Sequence, residues 1–516
     1  MTKAIYISVA AMLAFVLLRE VWFFPSPELI PNPDNAWLLY AAGRLAAGQK
    51  LYIDILETNP PLIVWLNLLP LYLGRLLSVN PLIMLPILVS ALALYSLFLC
   101  SRILRDYKFQ SEFIIYIAFG FFILSTMIYG QREHIFIILA LPYLLTSLSK
   151  NSRYSLAIIM MAAIAFAIKP FFMLLWGINE LARAVENRKI STIFAWHNWF
   201  IGLFQLAYFA AIYFITPEYF SVIIPALFTT YFAYETPLLN ILKIIGYITA
   251  PVFLLLLLSK LRDCKNGANK LIPRAVLWMF ACAMFMVLQQ KIWINHQYPL
   301  LFMAGLVLLL LLTHLIEQWK ILRLEIGRPK FAALAAIISI FIGALFVDVK
   351  TSYLMVSKPS KISEQLIEAI NTNADGKYIY PLVYNMQPSF PAINLSKGVF
   401  LGGFHQLWAM AGLIIRDNDS FPAIDKTRKW FYDTLVDDFS KFPPQLVWVD
   451  ENINLEKVNI YDISPADRDI IAVLSRDVRF AKIWQNYKKI GEIIGEQDKK
   501  NNDKKPEKYS LYIRKN

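Results

Sequence analysis

The sequence predicts a polytopic α-helical membrane protein with a small α/β domain at its C-terminal end. Of its 516 residues, 58% are hydrophobic and only 17% are charged, which is unlike a soluble globular chain. Roughly the first two-thirds consists of apolar segments of membrane-spanning length. The unusual polar clusters fall at the ends of these segments. We therefore expect a transmembrane module over residues 1–349 and a soluble α/β domain over residues 350–516.

The N-terminal part is predicted to begin with a helix followed by a long external loop. Ala4–Phe24 lacks a convincing cleavage site and is interpreted as a retained helix that leads outward. Pro60–Leu77 has a double proline at its start and Arg75 near its end. These features favour an interfacial segment rather than a crossing. Residues 25–80 then form one external loop.

The later apolar segments are predicted to alternate across the membrane, because short loops rich in Lys and Arg stay in the cytoplasm. Six crossings lead to a second external loop: Pro81–Cys100, Glu112–Tyr129, His134–Ser149, Tyr154–Ile168, Pro170–Leu181 and Ile193–Ile215. Four more lead to the C-terminal domain: Leu238–Ser259, Ala275–Gln289, Tyr298–Ile316 and Phe331–Val349. The loop Lys260–Arg274 contains five basic residues and is the strongest cytoplasmic marker. With the first helix, the total is about 11 crossings.

Basic residues in these loops also explain the net charge of +13, so we expect no nucleic-acid partner. In the C-terminal domain, short apolar stretches predict strands and amphipathic stretches predict helices. The predicted strands are Tyr378–Tyr384, Gln445–Asp450 and Tyr509–Arg514, the helices are Ser363–Ile370 and Asp467–Leu474, and Glu496–Glu507 is a solvated loop.

The first external loop carries an acidic motif. Its residues are Asp34 within Asn32-Pro33-Asp34-Asn35, then Tyr52, Asp54 and Glu57, then Asn59-Pro60-Pro61-Leu62. The motif resembles the GT-C superfamily of integral-membrane glycosyltransferases, in particular its protein-mannosyltransferase-like (family 39-like) branch. The resemblance covers residues 1–349. Many members pair two acidic residues at the first position, whereas this chain has Asp34-Asn35.

The resemblance implies that Asp34 is the general base of an inverting glycosyl transfer. A carboxylate within hydrogen-bond reach can remove the proton of an attacking hydroxyl. Glu57 is the second catalytic candidate, and Tyr52 and Asp54 are substrate-binding candidates. The alternatives are that Asp34 caps a helix beginning at Asn35 and that Asp54 and Glu57 are solvated loop charges.

Two further clusters and one isolated lysine are candidates for binding a lipid phosphate. The run Gln131-Arg132-Glu133-His134 supplies a guanidinium suited to phosphate oxygens, with Glu133 as its orienting partner or as its ion-pair partner. Lys169 precedes Pro170 at the tip of an external hairpin, where it either contacts phosphate or reaches the interface. Lys291, Trp293 and His296 form the last cluster, in which Trp293 stacks on a sugar or joins the interfacial aromatic belt.

These candidates predict an inverting glycosyltransferase on the outer face of the cytoplasmic (inner) membrane. Its donor is a polyprenyl-phosphate sugar, its acceptor is a lipid, glycan or protein, and membrane lipids surround it. Soluble nucleotide sugars are not supplied on that face. A divalent metal held by His296 and Glu57 is a minor hypothesis. A polysaccharide ligase and a transporter or flippase of lipid-linked sugars remain as alternatives; the chain shows no duplicated halves, which disfavours the transporter.

Overall fold

The computed structural model describes residues 3–22, 32–107, 109–148, 153–258, 268–321, 361–416, 422–451, 468–495 and 506–515. These residues form two compact units. The first contains Met1–Trp22, Leu85–Phe209 and Thr236–Ser357, and the second contains Phe23–Met84, Ala210–Glu235 and Lys358–Asn516. The predicted crossing Phe331–Val349 and much of the predicted loops Lys260–Arg274 and Glu496–Glu507 lie outside the described residues. The boundary between predicted domains 1–349 and 350–516 lies there too and stays a prediction.

Helices make up almost all of the described chain before residue 322. They are α1 (Lys3–Leu17), α2 (Pro33–Ala46), α3 (Leu62–Leu77), α4 (Pro81–Ile103), α5 (Gln110–Phe119), α6 (Arg132–Leu148), α7 (Leu156–Ile168), α8 (Met173–Asn187), α9 (Trp196–Ile215), α10 (Ile224–Thr230), α11 (Leu238–Leu258), α12 (Ala268–Gln289) and α13 (Ile294–Ile321). Short π or 3₁₀ turns extend several of them, for example Leu18–Trp22 after α1.

Five of the described helices are long and apolar enough to cross a bilayer. They are Pro81–Ile103, Trp196–Ile215, Leu238–Leu257, Leu271–Gln289 and Ile294–Leu315. Each coincides with a predicted crossing, so the chain is a multi-pass membrane protein. The predicted non-crossing segment forms the shorter apolar helix Leu62–Leu77. The total of about 11 crossings stays a prediction.

Three predicted helix boundaries are wrong, and each error concerns a buried polar residue. α6 begins at Arg132 and α13 at Ile294, so Glu133 and His296 lie in first helical turns rather than in loops. α12 begins at Ala268, which places Arg274 inside the helix, 1% exposed. Arg274 can be buried there because Glu186 binds its guanidinium at 2.5 Å. From sequence, charged residues are expected in loops, whereas in the structure ion pairs keep these charged residues inside helices.

The first unit is built around α6. Every residue of α6 from Arg132 to Thr146 is buried, and the helix packs against α7 and α13. Its aromatic contacts include Phe136, whose ring stacks on Phe172 at 3.9 Å. A helix that is buried on all sides holds its polar residues in fixed positions, which matters for the site below.

The second unit contains the small sheet. Its further helices are α14 (Lys361–Asn373), α15 (Ser389–Leu395), α16 (Met410–Ile415), α17 (Pro422–Lys441), α18 (Ile470–Leu474) and α19 (Val478–Trp484), and its strands are β1 (Ile379–Leu382), β2 (Leu446–Asp450), β3 (Tyr487–Ile494) and β4 (Lys508–Arg514). The strand order is β1-β2-β4-β3, with β1 parallel to β2 and the other pairs antiparallel. The three predicted strands and the predicted helix over Ser363–Ile370 are confirmed. α2 belongs to this unit and packs against α3 and α15.

Candidate active site

Asp34 lies in the first turn of α2. Asn32 caps this helix by accepting a hydrogen bond from the Asp34 N–H at 3.0 Å, and Pro33 occupies the first helical position. Proline suits that position because its missing N–H would have no helical partner. The alternative in which Asp34 caps a helix beginning at Asn35 is therefore wrong. The carboxylate of Asp34, which is half-buried, is not needed as the cap.

Glu57 lies in the same unit, where several donors hold its carboxylate. Trp37 Nε1 donates to Glu57 Oε2 at 2.5 Å, and the backbone N–H of Asn59 donates to Oε1 at 2.9 Å. The Asn59 side-chain amide donates to the same oxygen at 2.5 Å. With 2% of its surface exposed, Glu57 connects α2 to the turn that begins α3. This geometry fits an orienting carboxylate.

Tyr52 and Asp54 make contacts within the loop between α2 and α3. The Tyr52 hydroxyl donates to the Asn59 carbonyl at 2.7 Å, and its ring lies 5.0 Å from that of Tyr219. Asp54 accepts from the Lys50 backbone N–H at 2.7 Å. These bonds shape the loop, and the predicted substrate contacts of both residues stay predictions.

The first unit brings together residues from all three predicted phosphate sites. We call this set the Glu133 cluster; it comprises Arg132, Glu133, Lys169, Lys291 and His296, all buried. Lys169 Nζ donates to Glu133 Oε1 at 2.5 Å, and His296 Nε2 lies 3.9 Å from the same oxygen. Lys169, Glu133, Arg132 and Lys291 all lie near enough to His296 to act on it electrostatically. Residues far apart in sequence thus come together around Glu133 and His296.

The conformations around Lys169 and Lys291 explain how the basic groups are presented. Lys169 has an extended backbone between α7 and a 3₁₀ turn, which separates it from the regular helices on both sides. Lys291 Nζ lies 5.7 Å from the centre of the Trp293 ring, close enough for a cation–π contact. Trp293 is 41% exposed. Short non-helical connections therefore place the Lys169 ammonium group beside Glu133 and the Lys291 ammonium group beside Trp293.

His134 differs from the rest of its run. Its Nδ1 accepts a hydrogen bond from the Gly130 N–H at 3.1 Å, and its Nε2 lies 2.8 Å from the Phe121 carbonyl. Both ring nitrogens are therefore used within the protein, and His134 fixes the turn before α6. His296 contrasts with it, since its Nδ1 has no hydrogen-bond partner among the residues that the structure describes.

The Glu133 cluster has the chemistry of an anion site. Lysine and arginine donate charge-assisted hydrogen bonds to phosphate oxygens, and these bonds strengthen when water is excluded. A metal site is not supported in the same way. Across the described residues, no group of three or more His, Cys, Asp or Glu side chains is placed to hold a metal ion. The hypothesis of a metal on His296 and Glu57 stays a prediction.

Two further groups of buried polar residues lie outside the predicted site. One is Arg44 with His405 in the second unit, where burial lowers the pKa of His405 to about 4. The other, in the first unit, is the Glu180 network, which consists of Tyr143, Asn179, Glu180, Arg183, Asn198 and Arg274. Sequence reasoning did not single out Arg44 or this network. The pairs Asn179-Glu180 and His197-Asn198, beside or within apolar segments, are the signal that would have found the network.

The chain has a GT-C-like fold, as the sequence resemblance predicted. The structure is similar to the crystal structure of ArnT from Cupriavidus metallidurans bound to undecaprenyl phosphate, with a TM-score of 0.53 and 11% identity over 99% of this chain and 98% of that chain. The apo state of the same protein matches with a TM-score of 0.50 and 11% identity over 87% and 93%. No protein-family model and no curated protein sequence matches the chain.

Proposed function

We propose that this protein is an inverting glycosyltransferase that uses a polyprenyl-phosphate-linked sugar. The observation that carries the proposal is the convergence of Lys169, Lys291 and Arg132 on Glu133 and His296 within a GT-C-like fold. A buried set of this kind suits the phosphate of a lipid carrier. The similar ArnT structure holds undecaprenyl phosphate, which supports the same class of donor here.

Asp34 is the proposed general base. Its carboxylate takes the proton of the acceptor hydroxyl while that oxygen forms a bond to the anomeric carbon of the sugar. The bond between the anomeric carbon and the phosphate oxygen breaks, and its electron pair stays on the phosphate. A single displacement inverts the configuration of the anomeric carbon. Glu57, proposed from sequence as a second catalytic residue, acts by orienting Trp37, one turn from Asp34.

The Glu133 cluster is proposed to stabilise the leaving group. Negative charge grows on the phosphate oxygen as the glycosidic bond breaks, so fixed positive groups favour the transition state over the ground state. Lys169, Lys291 and Arg132 supply these groups, and Glu133 orients Lys169. Trp293 is exposed enough to contact the sugar or the lipid.

The proposed location is the outer face of the cytoplasmic membrane, with the second unit outside. The acceptor is a lipid, a glycan or a protein. A donor that carries a preassembled polysaccharide would make the protein a ligase, which uses the same chemistry. Comparing turnover of monosaccharide and polysaccharide donors separates these two activities.

The test of the proposed function is Asp34→Asn. Asparagine has nearly the same size but cannot accept the proton, so turnover should fall about 10²–10⁴-fold while undecaprenyl phosphate still binds. Glu57→Gln should be less severe. The matched control is Asp425→Asn, because Asp425 also lies in the first turn of a helix but is exposed. Near-normal turnover of Asp34→Asn would remove Asp34 as the base.

A further inference from the structure

One side of α2 is bonded to a distant part of the chain. Trp37, Tyr40 and Arg44 follow at intervals of three and four residues, so they share one side of the helix, with Asp34 one turn ahead. We call these three residues the α2 face. The part of the chain that they contact is residues 394–405, which we call the 394–405 segment. All of them belong to the second unit.

Arg44 makes the most extensive of these contacts. Its guanidinium donates to the carbonyls of Gly402 at 2.6 Å, Leu401 at 2.7 Å and Asp54 at 2.8 Å. The side chain is 5% exposed. A buried guanidinium is costly unless its donors are bonded, and carbonyls from two separate loops bond it here. Lysine has three donors on one atom and cannot reproduce this planar arrangement.

Tyr40 and Trp37 extend the contact along the helix. The Tyr40 hydroxyl donates to the Phe400 carbonyl at 3.0 Å and accepts from the Phe400 N–H at 2.8 Å. The ring of Trp37 stacks on that of His405 at 4.1 Å. Asn394 donates to the Ala36 carbonyl at 3.0 Å. Backbone and side chains of the 394–405 segment thus contact α2 from its first turns to its last.

The 394–405 segment is itself held in place from the other side. Asp438 on α17 accepts hydrogen bonds from the Gly403 N–H and the Tyr380 hydroxyl, both at 2.8 Å. Gly402 allows this approach, because a Cβ there would lie 2.2 Å from the Tyr380 ring. The segment therefore links α2 to β1 and α17 of the C-terminal part of the chain.

We propose that Arg44 is a positioning residue, and that the C-terminal part of the chain serves turnover by holding α2, and with it Asp34, through Arg44 and the 394–405 segment. The inference rests on the proposed role of Asp34. Displacing a reacting group by about 1 Å can cost on the order of 10²-fold in rate. Arg44 does not act on the substrate; it fixes the helix that carries the base.

The test compares Arg44→Gln with Arg479→Gln. Arg479 also makes several hydrogen bonds to carboxylates of the second unit, but it is exposed. For each variant, three quantities are measured: kcat with a donor that wild type turns over, affinity for undecaprenyl phosphate, and hydrogen exchange of the amides in 36–46 and 394–405. Arg44→Gln should lower kcat about 10–100-fold, leave the affinity unchanged and accelerate exchange in both ranges. Arg44→Lys should recover part of kcat, and Arg479→Gln should change none of the three.

Two results would overturn the inference. Faster exchange with wild-type kcat would show that the position of α2 does not limit turnover. Unchanged exchange would show that Arg44 does not hold α2. If Arg44→Gln does not fold, Tyr40→Phe removes the two bonds to Phe400 and is judged by the same criteria. Failure of the proposed function would give a different result. Asp34→Asn would then still turn over the donor, whereas hydrogen exchange in Arg44→Gln would still show whether Arg44 holds α2.

Discussion

Glu133 and Glu180 are both buried glutamates of the first unit, but their surroundings differ. Glu180 accepts four hydrogen bonds, from Tyr143 at 2.7 Å, Asn179 at 2.9 Å, Arg183 at 2.6 Å and Asn198 at 2.8 Å. Nearby, Arg274 is bound by Glu186. Glu133 is bonded by Lys169 at 2.5 Å and more loosely by Asn295 at 3.4 Å.

The composition of the two groups differs as well. In the Glu180 network, neutral amides and a phenol donate hydrogen bonds to the Glu180 carboxylate, and both arginines are paired with carboxylates. The Glu133 cluster is built mainly from basic side chains, and its His296 keeps a buried Nδ1 without a hydrogen-bond partner in the described part of the chain. Burial of charge is common to both and so does not identify a site. A buried network whose hydrogen bonds are filled within the protein indicates a stabilising role. A buried group rich in basic hydrogen-bond donors indicates that a ligand binds there.

The strongest challenge to this comparison is removal of Glu180. Glu180→Ala leaves the Arg183 charge and three neutral hydrogen-bonding groups without their acceptor, which should cost about 3–5 kcal/mol of stability. Thermal unfolding of the purified protein measures the loss. The folded fraction should still bind undecaprenyl phosphate normally. Weakened binding by correctly folded Glu180→Ala would mean that the Glu180 network is also part of the site.

Paired neutral substitutions sharpen the comparison further. Glu133→Gln with Lys169→Met, and Glu180→Gln with Arg183→Met, each remove one ion pair without changing the net charge, so neither pair of changes should unfold the protein. The first double variant should lose about 1.5–3 kcal/mol of binding to undecaprenyl phosphate, or roughly 10–150-fold in affinity. The second serves as its control. Equal affinities for both double variants would assign Lys169 a purely structural role.

Asp438 is a third carboxylate to compare with Glu133 and Glu180. The two groups that donate hydrogen bonds to it, the Gly403 N–H and the Tyr380 hydroxyl, are neutral. Burial raises the pKa of Asp438 to about 6. The folded state then holds the proton more tightly than the unfolded state. The protonated Asp438 carboxyl therefore stabilises the folded state fully below about pH 4. This stabilisation is lost as the pH rises to about 6. Asp438→Asn should remove this dependence, an effect below about 3 kcal/mol because the side chain is partly exposed. Unfolding temperatures of both proteins from pH 4 to 7 measure it, and parallel curves would contradict it.

Local sequence patterns predicted the Glu133 cluster because its members come in short polar runs at the ends of apolar segments. The runs at Arg132 and His296 and the single Lys169 are conspicuous in the sequence, and the fold brings them together. Asp34 was conspicuous for the same reason, but only the structure shows that Asn32 is the cap.

Residues whose function depends on distant partners could not be predicted in this way. In the sequence, Arg44 resembles any interfacial arginine, because its acceptors, the carbonyls of residues 401–402, lie far away along the chain. Members of the Glu180 network are spread over α6, α8, α9 and α12, and only the fold shows that they bond to one another. Strand β3 was missed because exposed Lys488, Lys489 and Ile494 hide the period of two that marks a strand.

The second unit consists of three separate stretches of the chain, and this restricts how the chain can cross a membrane. Side chains from its three stretches touch one another: Tyr52 lies against Tyr219, and the hydroxyls of Thr229 and Thr427 are 3.1 Å apart. Segments that touch one another outside the crossing helices lie on the same face of a bilayer. We therefore expect the chain to cross an even number of times between residues 52 and 219, and again between residues 229 and 427. The predicted six and four crossings obey this parity, and one helix more or fewer in either stretch would separate these contacts. Contacts within the second unit thus constrain the topology independently of where the basic residues lie.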